Sequence, residues 1–226
     1  MVRSRPKVTL SAAISLDGKI ASVCGDSKLS SMDDMKRVHR MRTIHDAILI
    51  GRRTAISDDP ILTARHVRGK NPVRIIIDSR GTLPLSLRVV KTANSIPTIV
   101  ATSSKITKLR RLKLESYGVH VMITGKNDIS VQLLLYKLWK IKIKTILLEG
   151  GGRTNWEFIN KGLVDNVVIT ISPYLLGGKT APTLVDGVGF KYIAKSTKLV
   201  LKRAVRYGDE MVLNYSKLQV VYDDSK

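Results

Sequence analysis

Glu149 closes an apolar run, Ile146-Leu147-Leu148, and Gly150, Gly151 and Gly152 follow at once, ahead of Arg153 and Thr154. A carboxylate at that place can accept hydrogen bonds from a ligand's amino or hydroxyl groups, or pair with a nearby lysine as a structural residue. Residues without Cβ let the backbone approach a ligand closely, and a helix start leaves amide donors unpaired at a positive dipole end, so a phosphate or pyrophosphate suits the turn. The same glycines also suit a tight strand-to-helix turn that binds nothing. The run is neither a Walker A loop, since no Gly-Lys-Ser/Thr follows, nor a GxGxxG fingerprint. Elsewhere the chemistry is sparse. His39, His45, His66 and His120 show no metal-ligand pairing and read as ordinary surface or core residues. Cys24 is the only cysteine, which excludes an internal disulfide and a multi-cysteine zinc site, so no metal is expected.

The elements that must position the turn can be read from periodicity. Residues 8–14 read as a first strand, ending at the turn Asp17-Gly18. From Ser31, a capping-box-like start with Asp34 opens a helix that places Met35, Val38, Met41 and Arg42 at helical spacing. Strands are expected over 46–51, 73–78, 97–102 and 119–123, with a turn at Pro60 and helices over 105–116 and 130–139. The continuous apolar character of ILIG, IIID and TILLE implies strands covered on both faces, and a further helix is expected to begin near Thr154. Strands alternating with helices imply an α/β layer architecture with a largely parallel sheet. Residues 166–172, 197–204 and 211–217 add strands, the last two joined through YGDE as an antiparallel hairpin at one edge.

The 226 residues carry 39 Lys+Arg against 18 Asp+Glu, a formal net charge of +21. A field of that sign attracts polyanions or small phosphorylated ligands. The charge is spread along the chain, only two Phe and two Trp are present, and no RNP-like motif occurs, so no specific nucleic-acid module is expected. No apolar run approaches the roughly 18 residues that would cross a bilayer, and MVRSRPKVTL lacks a secretory apolar stretch, so the expected setting is the cytoplasm. No linker or repeat divides the chain, and one domain over 1–226 is expected.

Seven motifs occur in order: SLDGKIA, RMR ending at Arg42, GRRTAISDDPILTAR, NPVRIIIDS, LLEGGGRTNW, GLVDNV and PYLLGGKTAPTLVDGVGF. Together, over about residues 7–218, they resemble the riboflavin-biosynthesis reductases of the dihydrofolate-reductase-like family, in particular the stand-alone archaeal form. Neither HxE nor PCxxC is present, so the zinc deaminase half that accompanies the bacterial reductases is not expected.

The resemblance implies a three-layer α/β fold, a homodimer, and NADPH (NADH being the other possibility) as cofactor. It implies reduction of 2,5-diamino-6-ribosylamino-4(3H)-pyrimidinone 5′-phosphate to the ribitylamino product, by hydride transfer to C1′ of the ring-opened imine. It assigns the cofactor to Ala13, Thr54, Asp58, Ser79, Arg80, Gly150, Gly151, Gly152, Arg153 and Thr154. Arg80 could pair with a 2′-phosphate, and Arg153 departs from the small residues usual at its place. It assigns the substrate to Asp26, Ser27, Arg42, Leu62, Arg65 and Glu149, the last also the candidate for a catalytic carboxylate, with the two arginines on the 5′-phosphate. Blander readings stand beside these: Thr54 capping a short helix, Asp58 or Asp59 in an Asx-turn, Ser79 in a polar turn, Leu62 in the core, Arg52 and Arg53 at the surface. Asp17-Gly18 reads as structural. A pteridine or dihydrofolate reductase on the same fold, and a non-catalytic basic nucleic-acid-binding protein, are the alternatives.

Overall fold

The computed structural model describes residues 4–218, so the ends of the domain expected over 1–226 lie outside the described residues. Nine strands form one sheet in the order β5-β4-β3-β2-β6-β1-β7-β9-β8. The strands are β1 (Lys7–Ser15), β2 (Ala47–Gly51), β3 (Val73–Ile77), β4 (Thr98–Thr102), β5 (His120–Ile123), β6 (Thr145–Leu148), β7 (Asn166–Ser172), β8 (Leu199–Tyr207) and β9 (Glu210–Lys217). The first seven pair in parallel, and β9 and β8 add antiparallel to β7, as the sequence predicts.

The apolar runs lie at the centre because helices cover both faces of the sheet. Every residue of β2 and of β4 is buried. Alternation sends Leu49, Ile75 and Leu148 to a core shared with Leu134, Leu138 and Phe158 of α5 (Val131–Lys140) and α6 (Gly152–Asn160). Ile48, Ile50 and Ile76 face the other way, toward Ala55, Val89, Val90 and Leu114 of α2 (Arg52–Asp58), α3 (Arg88–Lys91) and α4 (Lys108–Glu115). The result is three layers, with the carboxyl ends of neighbouring β3, β2, β6 and β1 opening at one edge, where such sheets hold ligands.

Several boundaries differ from the sequence reading. The stretch after β2, read as leading to a turn, forms α2, capped by the backbone of Gly51 with no side-chain bond. Thr54 therefore sits inside the first turn rather than capping it. Helix α6 starts at Gly152, inside the glycine run, because Gly151 has the extended backbone of an N-cap (φ −69°, ψ 167°). Strand β8 continues past Ala204 to Tyr207, and Gly208 (φ +57°) makes the turn. α4 begins at Lys108 because the Thr107 side chain accepts from the Arg110 amide.

The first helix, α1 (Met32–Ile44), starts as predicted: the Ser31 hydroxyl accepts the Asp34 amide at 3.2 Å. Its buried residues, however, are Asp34 and His39 rather than the apolar ones. Asp34 Oδ1 accepts from Arg37 Nε and from the Thr170 hydroxyl, both at 2.8 Å, so a polar network seats the helix against β7.

Arg74 of β3 is fully buried and has no carboxylate partner among the described residues. Thr98 and Thr92 hydroxyls and the carbonyls of Val89, Ile96 and Ile61 take its N–H groups. Burial lowers its pKa to about 10, and the carbonyl bonds keep the cation compatible with the core. The bond to Ile61 also ties down the loop that leads to Arg65.

Candidate active site

At the open edge lies a cavity of about 1340 Å³. Ala13 of β1, Thr54 and Asp58 of α2, Ser79 and Arg80 after β3, and Glu149 through Thr154 after β6 all line it, together with Ser27, Arg42, Leu62 and Arg65. Asp26 is the exception: it is exposed, outside the cavity wall, and its carboxylate accepts the Lys28 amide at 3.1 Å within its own loop. Arg52 and Arg53, read as surface residues, are exposed but sit on the cavity rim. Eight Lys or Arg side chains against four Asp or Glu line the wall, so the local field favours anionic ligands.

The glycine turn has a different physical reason from the one its sequence suggests. A Cβ on Gly151 would stand 2.9 Å from the Thr54 hydroxyl, one on Gly150 2.8 Å from Thr154 Cβ, and one on Gly152 2.6 Å from the Thr183 carbonyl and the Asp186 carboxyl carbon. The missing side chains are required by the protein's own packing of α2, α6 and the 183–186 segment. Their backbone still lines the cavity, and no side chain caps α6, so its first amides remain donors for a ligand.

Immediately before the turn, Glu149 forms a bidentate pair with Arg42, Nε to Oε1 at 3.0 Å and Nη2 to Oε2 at 2.7 Å. Their side chains are only 11% and 15% exposed. Glu149 is thus paired with an arginine rather than a lysine, and the fork of Arg42 is turned to Glu149 rather than left open to a phosphate. Burial opposes the Arg42 charge, but the charge of Glu149 and its hydrogen bonds outweigh it and raise the pKa. Arg42 Nη1 donates to the Thr63 carbonyl at 3.0 Å. With Arg74 on Ile61, two guanidiniums grip the carbonyls on either side of Leu62, which is held at φ +58° and is 2% exposed. Leu62 belongs to the core and to the cavity wall at once.

Arg65 is exposed and lines the cavity, its pKa lowered by burial and by the charges of Arg42 and Arg88. The Ser79 hydroxyl donates to Asp128 at 2.6 Å. Neither Asp58 nor Asp59 turns the chain as expected: Asp58 accepts from the Ser57 hydroxyl, and Asp59 is left-handed with its carboxylate on the Arg88 amide. Asp17 has its structural role, accepting the amides of Leu176 and Gly177 and the Ser15 hydroxyl. Those bonds, the Ser15 one foremost, hold its pKa at about 2 and fix the loop whose Thr180 and Pro182 close the cavity wall.

His39 was missed by sequence reasoning: it is 2% exposed, lines the cavity, and lies 3.3 Å from Arg42 Nη1. The only available signal was its spacing, three residues before Arg42 on one helical face.

The RibD C-terminal domain model matches residues 6–213. The 2,5-diamino-6-ribosylamino-4(3H)-pyrimidinone 5′-phosphate reductase of Methanothermobacter thermautotrophicus is 38% identical over 94% of this chain and 98% of its own. A solved deaminase/5-amino-6-(5-phosphoribosylamino)uracil reductase from Thermotoga maritima is 29% identical with a TM-score of 0.78, over 95% of this chain. This chain spans 57% of that bifunctional protein. Dihydrofolate reductase from Enterococcus faecalis, at 15% identity and a TM-score of 0.52, shares the fold. The match over nearly the whole chain, together with the cavity at the sheet's carboxyl edge, establishes that this protein belongs to the RibD C-terminal domain family of riboflavin-biosynthesis reductases.

Proposed function

We propose that this chain reduces 2,5-diamino-6-ribosylamino-4(3H)-pyrimidinone 5′-phosphate to its ribitylamino product with NADPH. The observation that carries the reading is one cation-rich cavity lined both by an uncapped helix start behind a glycine turn and by the Arg42–Glu149 pair with Arg65. The first amides of α6 and the backbone of residues 150–152 would hold a pyrophosphate, Thr54 and Ser79 would contact the nucleotide, and Arg80 is suited to a 2′-phosphate. When bound, the nicotinamide nucleotide supplies the hydride that reduces C1′. The residues of the chain then act chiefly by positioning. Arg42 holds the Glu149 carboxylate in one orientation, so that its remaining lone pairs can accept from the pyrimidine's amino groups or the sugar hydroxyls. Arg65, charged and at the mouth, attracts the 5′-phosphate. The loop fixed by Asp17 and the chain around Ser27 limit the entry of water.

Purified protein is to be given NADPH or NADH with the ribosylaminopyrimidine phosphate or with dihydrofolate. Turnover of the phosphate with a preference for NADPH is expected. Turnover of dihydrofolate alone would overturn the reading, and salt-sensitive retention on DNA without nucleotide binding would favour a nucleic-acid-binding protein. A single reductase domain acting as a homodimer in the cytoplasm completes the proposal; the exposed face of edge strand β8, including Leu201, supports self-association and sedimentation tests it.

A further inference from the structure

Ser79 stands where two cavities of opposite charge meet. Beside the main cavity lies a smaller one of about 490 Å³, and Ser79, Arg153, Thr154 and Asp186 line both. Ile77, Ile129, Val131 and Trp156 give the smaller one an apolar wall. Its charged lining is Asp128, Glu157 and Asp186 against Arg153 alone, the reverse of the cation-rich main cavity. Glu157 pairs with Lys161 and Asp186 accepts from the Thr183 hydroxyl, so Asp128 is the acid that meets Ser79.

Ser79 spends its one proton inside the protein. Its hydroxyl donates to Asp128 Oδ1 at 2.6 Å, and the Ile129 amide donates to the same oxygen at 2.8 Å. A serine hydroxyl has a single hydrogen, so what Ser79 Oγ and Asp128 Oδ2 can still offer a ligand is lone pairs. The Ser79 bond foremost, then the Ile129 amide and the charges of Lys105 and Lys161, outweigh burial and hold the Asp128 carboxyl below its ordinary value, so it is charged at neutral pH. Acceptors of this kind bind hydroxyls and repel a phosphate.

Arg80, the next residue, has the opposite preference. It is exposed on the wall of the main cavity, and a guanidinium suits phosphate oxygens. With a pyrophosphate on the α6 amides and the base against the apolar wall of the smaller cavity, the adenosine ribose falls beside Ser79. Its 2′ substituent then meets one residue that favours a phosphate and one that favours a free hydroxyl, the two means by which nicotinamide nucleotides are told apart.

Resting on the proposed function, we infer that Asp128, oriented by Ser79, is a specificity-determining residue that disfavours the 2′-phosphate and narrows the margin by which Arg80 makes NADPH preferred over NADH. Selectivity here is a difference between an attractive and a repulsive neighbour.

Dissociation constants for NADPH and NADH are to be measured by nicotinamide fluorescence, and those for adenosine 2′,5′-bisphosphate and 5′-AMP by calorimetry, since the last two report the adenosine end alone. Asp128→Asn keeps an oxygen to accept from Ser79 and Ile129 and removes the charge. NADPH and the bisphosphate should then bind about three- to fivefold tighter, the scale of one solvent-screened charge, with NADH and 5′-AMP within about twofold. Ser79→Ala leaves the charge and removes the hydroxyl that orients it; NADPH should not tighten and NADH should weaken about threefold. A merely structural role would move all four ligands together. An NADPH-to-NADH ratio unmoved by Asp128→Asn, equal changes in all four ligands, tighter NADPH in Ser79→Ala, or a parent that binds none of the four overturns the inference. Should the ratio shift as expected in a protein that fails to reduce the pyrimidine, the proposed reaction is wrong and the selectivity assignment stands. Should the pyrimidine be reduced while Asp128→Asn keeps the parent's ratio, the reaction stands and the inference falls.

Discussion

The β6–α6 turn and the end of α1 line one cavity, and they are held by opposite means. The turn is specified by missing atoms: Gly150, Gly151 and Gly152 are small because Thr154, Thr54 and the 183–186 segment occupy the space a Cβ would take. The α1 end is specified by charge, with Arg42 buried against Glu149 and His39 buried against Arg42. A steric specification tolerates pH and salt but no added methyl. A charge specification tolerates small changes of volume but not the loss of a partner. The cavity is therefore rigid on the side proposed for the nucleotide and electrostatically poised on the side proposed for the substrate.

The largest test of this contrast removes one charge. Glu149→Ala leaves the Arg42 guanidinium buried without its counter-charge, and a loss of about 3–5 kcal/mol in stability is expected by urea denaturation. An unchanged denaturation midpoint would mean that the pair is not what seats Arg42. Next is pH. The folded-state pKa of His39, about 4, lies below the ordinary histidine value of 6.5, so the unfolded chain binds the extra proton first as pH falls. Its contribution is complete above about pH 6.5 and is lost as the pH drops toward 4, on the order of 3 kcal/mol. His39→Asn should flatten that window in thermal melts recorded from pH 7 to 4, whereas substitutions in the glycine turn should leave its slope alone.

On the steric side, Gly152→Ala forces a methyl against the Asp186 carboxylate and the Thr183 carbonyl and should cost about 1–3 kcal/mol at every pH, with weakened NADPH binding. Gly208→Ala is the control: it has open space but a φ of +57°, so only backbone strain of roughly 1 kcal/mol and no effect on NADPH are expected. The smallest effect belongs to the exposed Arg65. Because its contact is solvent-screened, Arg65→Ala should raise the substrate KM by only about threefold, with the NADPH KM unchanged. Equal effects on both ligands would count against assigning Arg65 to the 5′-phosphate.

Much of this arrangement was legible before any coordinates. The α/β class, the largely parallel sheet, the antiparallel hairpin and the Ser31 helix start all follow from periodicity and capping chemistry, because each is a short-range consequence of side-chain type. Helix α2 was anticipated only as a short helix capped by Thr54 and its start was misplaced, since GRRTAISD has no side-chain cap and its one buried residue, Ala55, leaves no apolar stripe to read. Of the residues assigned to ligands by resemblance, all but Asp26 come together in one cavity. Asp26 belongs to a loop whose side-chain directions are set by local turns.

By itself, then, the sequence determined which residues have the chemistry and in what order the layers are built, for strand and helix patterns are written in neighbouring positions. Only the tertiary structure decided what those residues do to one another. That Arg42 meets Glu149, 107 positions away, that Arg74 is held in the core by hydroxyls and carbonyls, and that three glycines make room for protein before ligand are all contacts between distant segments. Such contacts depend on distances of a few ångströms that no local pattern encodes. His39 shows it most plainly: an unremarkable helical residue in the sequence, it becomes a buried part of the cavity wall only where the chain folds His66 and Arg42 against its two nitrogens.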